Sequence, residues 1–343
     1  MYSGRRADLD AELRRKVARL KRPCAYPELP THVEAIETHM SWVFLTPRHA
    51  FKLKKPVHYP FLDFSTLQAR RFYCREEVRL NRRLAPWVYL GVVALTELSD
   101  GDLSVAGRGR VVDWLVKMQR LQASRMLDAA VAGRRASRPD AIRLAEILLA
   151  FYRRQPRVEL AADRYRDRFR GEILASAEVI GGVPILAAAV QHAVPILLGF
   201  VDGATGLLTA RATEGRLCEG HGDLRPEHVY LAHRPAIIDC LEFDRRLRIL
   251  DPLDELAYFA MECERLGAAW LGEAVLARYQ QGAGERVHPQ LVWFYKAYRA
   301  LLRGKLCVWH MAEPGARTVE HWIGRTAAYV DLAGRYADHL ADG

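Results

Sequence analysis

What the chain lacks narrows the field first. Its 343 residues contain no C-x-x-C pair, and the six cysteines (Cys24, Cys74, Cys218, Cys240, Cys263 and Cys307) are scattered. Metal knuckles and disulfide frameworks both need closer or patterned spacing, so reduced thiols in a cytoplasmic protein are expected. We read no apolar run as approaching the ~20 residues that span a bilayer, and expect no membrane segment. The N-terminal stretch MYSGRRADLDAELRRKVARLKRP has no apolar core of a secretory signal and reads instead as an exposed amphipathic helix. Internal repeats, low-complexity tracts and RNA- or DNA-binding motifs with an aromatic platform are also missing, which weighs against a nucleic-acid partner.

What is present fits an ordinary globular composition, half hydrophobic and about a quarter charged. The length suits one large or two small domains. The net charge of +10 is uneven. The first 120 residues hold 22 Lys and Arg against 13 Asp and Glu, while the remaining 223 hold 29 against 28. A basic first third next to a neutral remainder suits a phosphate-binding lobe or a nucleic-acid face, and does not choose between them.

After the N-terminal helix and RPCAYPELP, the stretches HVEAIETH, SWVFLT and HAFKLKKPV read as three short strands, the last two joined at PRH. FLDFSTLQARRFYCREEVRLNRRLAP reads as a long helix capped by Ser65 or Thr66 and ended by Pro86. VYLGVVALTEL and VVDWLVKM read as two further strands. Beyond about residue 123 the pattern is helical, interrupted by short strands at RLCEG, HVYLAH and AIIDCLEF. The layout predicts a helical extension over 1–30, a β-rich lobe with one long helix over 31–122, and a larger helical lobe over 123–343. The fold class is α+β.

The densest chemistry lies in HGDLRPEH, His221 to His228, ahead of a predicted hairpin that ends at Asp239. A hairpin of this size predicts that Asp223 and Asp239 meet at its mouth. Two carboxylates so placed suit phosphoryl transfer, one accepting a proton from the attacking hydroxyl and the other holding Mg²⁺ on the nucleotide. Solvated loop aspartates are the alternative. The order of motifs adds weight: a Lys on the third strand, a Glu on the next helix, H-G-D-L-R-P-E-H, then I-I-D-C, matching the kinase order of β3 Lys, helix Glu, H-R-D and D-F-G.

On these residues the sequence resembles the aminoglycoside phosphotransferase-like branch of the protein-kinase-like fold. Within it, the chain is most similar to a bacterial group whose kinase-like domain is often fused to a P-loop ATP-binding domain. The closer likeness rests on ETHMSWVFLT, AFKLKKPV, FLDFSTL, EEVRLNRRLAP with YLGVV, HGDLRPEH, IIDCLEF and DPLDELA, spanning residues 37 to 257. The resemblance implies a two-lobed fold and an ATP-dependent kinase acting on a small-molecule hydroxyl, with Mg²⁺ or Mn²⁺. A separate P-loop ATP-binding protein is an implied partner.

Residue by residue, the resemblance implies Asp223 as catalytic base and Asp239 as metal ligand, although Cys240 and Leu241 replace the Phe-Gly of D-F-G. Lys52 matches the phosphate-pairing lysine, with Lys54 the rival on the same strand face. Glu77 matches its helix partner, with Glu76 as fallback. Asp251 in DPLDELA is implied to cap the following helix and brace the catalytic loop. His221 is expected to be architectural.

Two departures stand out. ETHMSWVF replaces a Gly-rich loop, so that Thr38 and Ser41 either present donors to phosphates or close an ordinary turn. His228 stands where kinases place a metal-binding Asn. An imidazole prefers softer ions than Mg²⁺, so His228 reads as a ligand for a different metal, a phosphate donor, or the mark of a lost metal site. Glu227 and Glu242 are near enough in sequence to compensate. For the substrate, Arg299 and Arg303 share a helix face with Tyr295 and offer an anion clamp, against the alternative of a solvated basic face. A nucleotide-binding pseudokinase and an AMP transferase on the same fold are the rival functions.

Overall fold

The computed structural model describes residues 2–59, 62–203, 206–311 and 318–342. Phe61, which opens the FLDFSTL stretch, lies outside them. The chain divides into two compact units: Met1–Met126 with His228–Arg246, and Leu127–Glu227 with Leu247–Gly343.

A six-stranded antiparallel sheet organises the first unit. Its order is Glu34–Glu37, Ser41–Leu45, His49–Lys54, Arg110–Gln119, Tyr89–Glu97 and Leu103–Val105. The strand Leu103–Val105 is one the sequence reading missed, since three residues carry too little alternation to stand out. Two threonines close the first two hairpins in the same way. The Thr38 hydroxyl accepts from the Ser41 amide at 3.0 Å, and the Thr46 hydroxyl accepts from the His49 amide at 3.0 Å. Side-chain-closed turns of this kind need no glycine, which accounts for its absence here.

The helix Leu67–Asn81 lies on this sheet, its N-terminus capped by Thr66, which accepts from the Ala69 amide. It stops at Asn81 rather than running to Pro86. The expectation of an exposed N-terminal helix needs correcting. In Tyr2–Leu20 the last turns pack Val17 and Leu20 into the sheet core with Tyr26, Phe44 and Phe51. Lys16 is buried there on Asp113 at 2.8 Å, and Arg70 takes the other oxygen of that carboxylate at 2.8 Å.

The second unit is helical. A capping box at Ser137 and Asp140 starts Arg138–Arg154, and the long helices Ala162–Gly181, Pro289–Met311 and Val319–Ala341 build the bulk. DELAYFAMECERLGAAWLGEAVLARYQ forms two helices, Pro252–Arg265 and Ala269–Ala283. The break falls at Gly267, whose φ of +77° is costly for other residues.

The expectation that no apolar run reaches spanning length is overturned by Pro184–Asp202, which is long and apolar enough to cross a membrane by length and composition. Its polar Gln191 and His192 carry no formal charge, and Pro195 lies within the helix. A third of it is buried, with Val190, Ala193, Leu197 and Val201 at helical spacing against the neighbouring helices of the unit.

Candidate active site

In the first unit, strand alternation sends Lys52 and Lys54 to one face, where Glu77 stands buried on the packed helix. Lys52 Nζ lies 3.0 Å from Glu77 Oε1 and 2.8 Å from Asp239 Oδ1. Lys54 Nζ lies 2.6 Å from Glu77 Oε2 and also pairs with Glu242. Both lysines therefore share one glutamate, Glu77, while Glu76 is bonded to Arg79 instead. Burial disfavours the charge of Lys52, but Asp239, Glu77 and Glu242 outweigh it and hold its pKa well above the ordinary lysine value. Burial likewise opposes the Glu77 carboxylate, yet Lys52 and Lys54 keep its pKa below the usual range.

The predicted hairpin forms as Val229–Tyr230 against Ala236–Ile237, and the Ile238 amide donates to the His228 carbonyl at 2.9 Å. That closure places His228 beside Asp239: His228 Nε2 lies 3.6 Å from Asp239 Oδ2. Asp239 adopts a left-handed φ of +62°, which costs a non-glycine residue roughly 1–2 kcal/mol. Hydrogen bonds hold it there. The Asp239 amide donates to the Tyr89 hydroxyl at 3.1 Å, and the Cys240 amide donates to Asn81 Oδ1 at 2.9 Å. Asn81 in turn donates to the Glu77 carbonyl at 2.9 Å, tying the aspartate's backbone to the glutamate's helix.

Two lysines face three carboxylates in this cluster. The excess negative charge falls at Asp239, whose side chain is 46% exposed against 10% for Glu242 and 1% for Glu77. Among the described residues no group of three or more His, Cys, Asp or Glu is assembled for a metal. One exposed carboxylate on an under-neutralised cluster nevertheless fits Mg²⁺, which takes one or two protein carboxylates and fills its shell with water and phosphate. Thr38 is occupied in closing its turn. The Ser41 hydroxyl is buried without a hydrogen-bond partner among the described residues, opposite Lys54 in the strand register.

In the second unit the loop HGDLRPE is built around Glu255. Its buried carboxylate accepts from the His221 amide at 3.0 Å, from the Gly222 amide, and from the Tyr152 hydroxyl at 2.6 Å. Gly220 makes that approach possible, because a Cβ there would meet Glu255 Oε2 at 2.9 Å and Leu250 Cδ1 at 2.8 Å. Gly222 has a φ of +90°, which explains the middle letter of H-G-D. His221 is fully buried, and its Nδ1 accepts from the Asp223 amide at 3.3 Å. Asp223 Oδ1 accepts from the Tyr258 hydroxyl at 2.9 Å, and Oδ2 accepts from Arg225 at 2.9 Å. Burial pushes the Tyr258 pKa well above its ordinary value and keeps the phenol a donor to Asp223.

Two expectations change here. Asp251 caps Pro252–Arg265 by accepting from the Leu253 amide at 3.0 Å, and it binds Arg211 bidentately at 2.6 and 2.8 Å. The carboxylate that braces the His221–Gly222 backbone is Glu255, four residues on. Arg299 is no open anion clamp: it is buried, with both forks on Asp254 at 2.6 Å. Tyr295 is likewise buried, donating to Asp251 at 3.1 Å. Arg303 pairs with Glu262 at 3.3 Å, and burial opposes a charge that Tyr258, Glu262 and Asp223 sustain.

Sequence reasoning missed Tyr89, Asn81, Glu255 and Tyr258. Each acts across a large gap in sequence, 150 residues for Tyr89 to Asp239 and 35 for Tyr258 to Asp223. No local spacing signals such a pair.

No family model matches the sequence. Uncharacterised proteins of Mycobacterium bovis and Mycobacterium tuberculosis are 33% identical over 287 residues, covering 80% of this chain and 55% of theirs. The chain thus spans about half the length of the curated relatives it matches. Among solved structures, a choline/ethanolamine kinase family protein from Mesorhizobium loti is similar with a TM-score of 0.52 at 16% identity, over 96% of this chain and 99% of that one. A thermostable mutant of aminoglycoside phosphotransferase APH(4)-Ia gives 0.55 at 13% identity, over 91% and 96%. A glucosamine kinase gives 0.50 at 14% identity, over 92% and 75%. The chain has the two-lobed kinase-like fold of these proteins, with a small β-rich part and a larger helical part.

Proposed function

We propose that the chain is an ATP-dependent phosphotransferase that moves the γ-phosphoryl group to a hydroxyl of a small molecule. The observation that carries this reading is the charge cluster of Lys52, Glu77 and Asp239, built on the fold shared with the small-molecule kinases named above. Lys52 would bind the nucleotide phosphates, Glu77 holding its ammonium in place. Asp239, with His228 beside it, would hold Mg²⁺ or Mn²⁺, which when bound neutralises phosphate charge. Asp223 would orient the acceptor hydroxyl and take its proton, with Tyr258 and Arg225 fixing the carboxylate in position.

The greater length of the mycobacterial relatives accommodates a further domain, and a P-loop ATP-binding domain or a separate protein of that kind is the partner we propose. The reaction is expected in the cytoplasm, where ATP is supplied. Incubation with ATP, Mg²⁺ or Mn²⁺, and a panel of amino alcohols and amino sugars tests the function by mass spectrometry. The expected product carries one phosphoryl group more than its acceptor. A gain of an AMP group in its place would identify the chain as an AMP transferase.

The placement of His228 against Asp239, where kinases carry Asn, favours one second reading: a module that binds nucleotide without transferring it. Nucleotide binding with no product across the panel and both metals would support that reading.

A further inference from the structure

The second unit contains a cavity of about 110 Å³ whose chemistry differs from that of any group described above. Four arginines line it, Arg153, Arg157, Arg211 and Arg216, with Tyr152, Tyr279 and Glu285. Two buried carboxylates answer them. Asp251 binds Arg211 bidentately, and Glu285 lies 2.6 Å from Arg216 and 3.3 Å from Arg211. Glu214 also lies 3.3 Å from Arg216, but that side chain is 54% exposed and contributes little. The Arg153 guanidinium donates to the Gly282 carbonyl, and Arg157 has no ion pair among the described residues. Four guanidiniums against these three carboxylates leave a net positive charge around a concave space.

We propose that this cavity is a binding site for a compact phosphate-type anion. Arg211, fixed by Asp251, forms the floor, and Arg216 and Arg157 supply the planar donors that suit a tetrahedral oxyanion. Glu285 marks where negative charge is already stabilised: its carboxylate sits between two of the four arginines. The volume accommodates one phosphate group, free or carried on a small molecule. One wall reaches the catalytic loop, because Tyr152 donates to the same Glu255 carboxylate that accepts from the His221 and Gly222 amides. Occupancy would therefore touch the support of the loop that carries Asp223.

Equilibrium dialysis of the full chain with radiolabelled inorganic phosphate tests the site, with AMP in a parallel arm. R153A/R157A removes two exposed side chains and leaves the Arg211–Asp251 pair intact, so the fold should persist. The double variant is expected to bind phosphate about tenfold more weakly, the size expected for losing charge-assisted contacts. E285Q removes the internal competitor and is expected to tighten binding. Equal competition by AMP would identify the phosphate group itself as the ligand, and binding of phosphate alone would identify the free anion. Phosphate affinity unchanged in R153A/R157A, or no phosphate binding by the wild-type chain, would overturn the proposal. Weaker binding in E285Q with an unchanged melting temperature would overturn it equally.

Discussion

The two units use buried charge in opposite ways. In the helical unit, arginines meet carboxylates as closed forks: Arg211 with Asp251 and Arg299 with Asp254, each through two short bonds. In the β-rich unit, two lysines share three carboxylates, and one of those, Asp239, remains half-exposed. A guanidinium fork is locked in direction, whereas an ammonium is a point charge that can be redirected to a new anion. The difference separates charge locked in a fixed direction from charge that can be redirected.

Breaking a fork should have the largest effect. Arg299→Leu strands Asp254 without its partner in the protein interior and is expected to cost about 3–5 kcal/mol in urea unfolding. Changing both partners to Leu should recover most of that loss, because a closed pair contributes little net stability beyond compensating its own burial. Persistence of the full loss in the double variant would show that the fork does more than neutralise itself.

The lysines sharpen the contrast. Lys54 is wholly buried between Glu77 and Glu242, so Lys54→Met is expected to destabilise the β-rich unit by about 3 kcal/mol. Lys52→Met should change stability less, since its second partner, Asp239, can turn to solvent. Nucleotide affinity should fall about tenfold or more in Lys52→Met, measured with a fluorescent ATP analogue. Equal effects of both substitutions on stability and on affinity would erase the division of labour between them.

A smaller effect concerns acid. The Glu77 pKa is lowered by its lysines against the opposing effect of burial, so its ion pairs contribute fully above the ordinary glutamate range. That contribution is lost as pH falls through the lowered value. Thermal melts of the wild-type chain should hold steady from neutral pH to about pH 4.5 and decline below it. The decline should be shallower in Glu77→Gln, and the same decline in that variant would assign it to other groups.

Much of the architecture was legible in the sequence, and the reasons are physical. Strand alternation put Lys52 and Lys54 on one face, and the helix from Thr66 followed from its cap. Partnerships set by tertiary packing were not legible. Arg299 sits at a spacing that reads as a basic surface face, yet its partner Asp254 lies 45 residues away. Glu255 reads as one more helical glutamate until three donors converge on it. Hydropathy alone could not say which face of Pro184–Asp202 packs inward, because apolar residues line it nearly all round.

The central claim is that Asp223 serves the transfer step while Lys52 and Asp239 serve the nucleotide. Asp223→Asn tests it most directly, with ATP turnover and ATP-analogue affinity measured on the same preparation. The account predicts unchanged affinity and a turnover reduced by about 10²–10⁴-fold, the range for losing a general base. Turnover equal to that of the wild-type chain would contradict it.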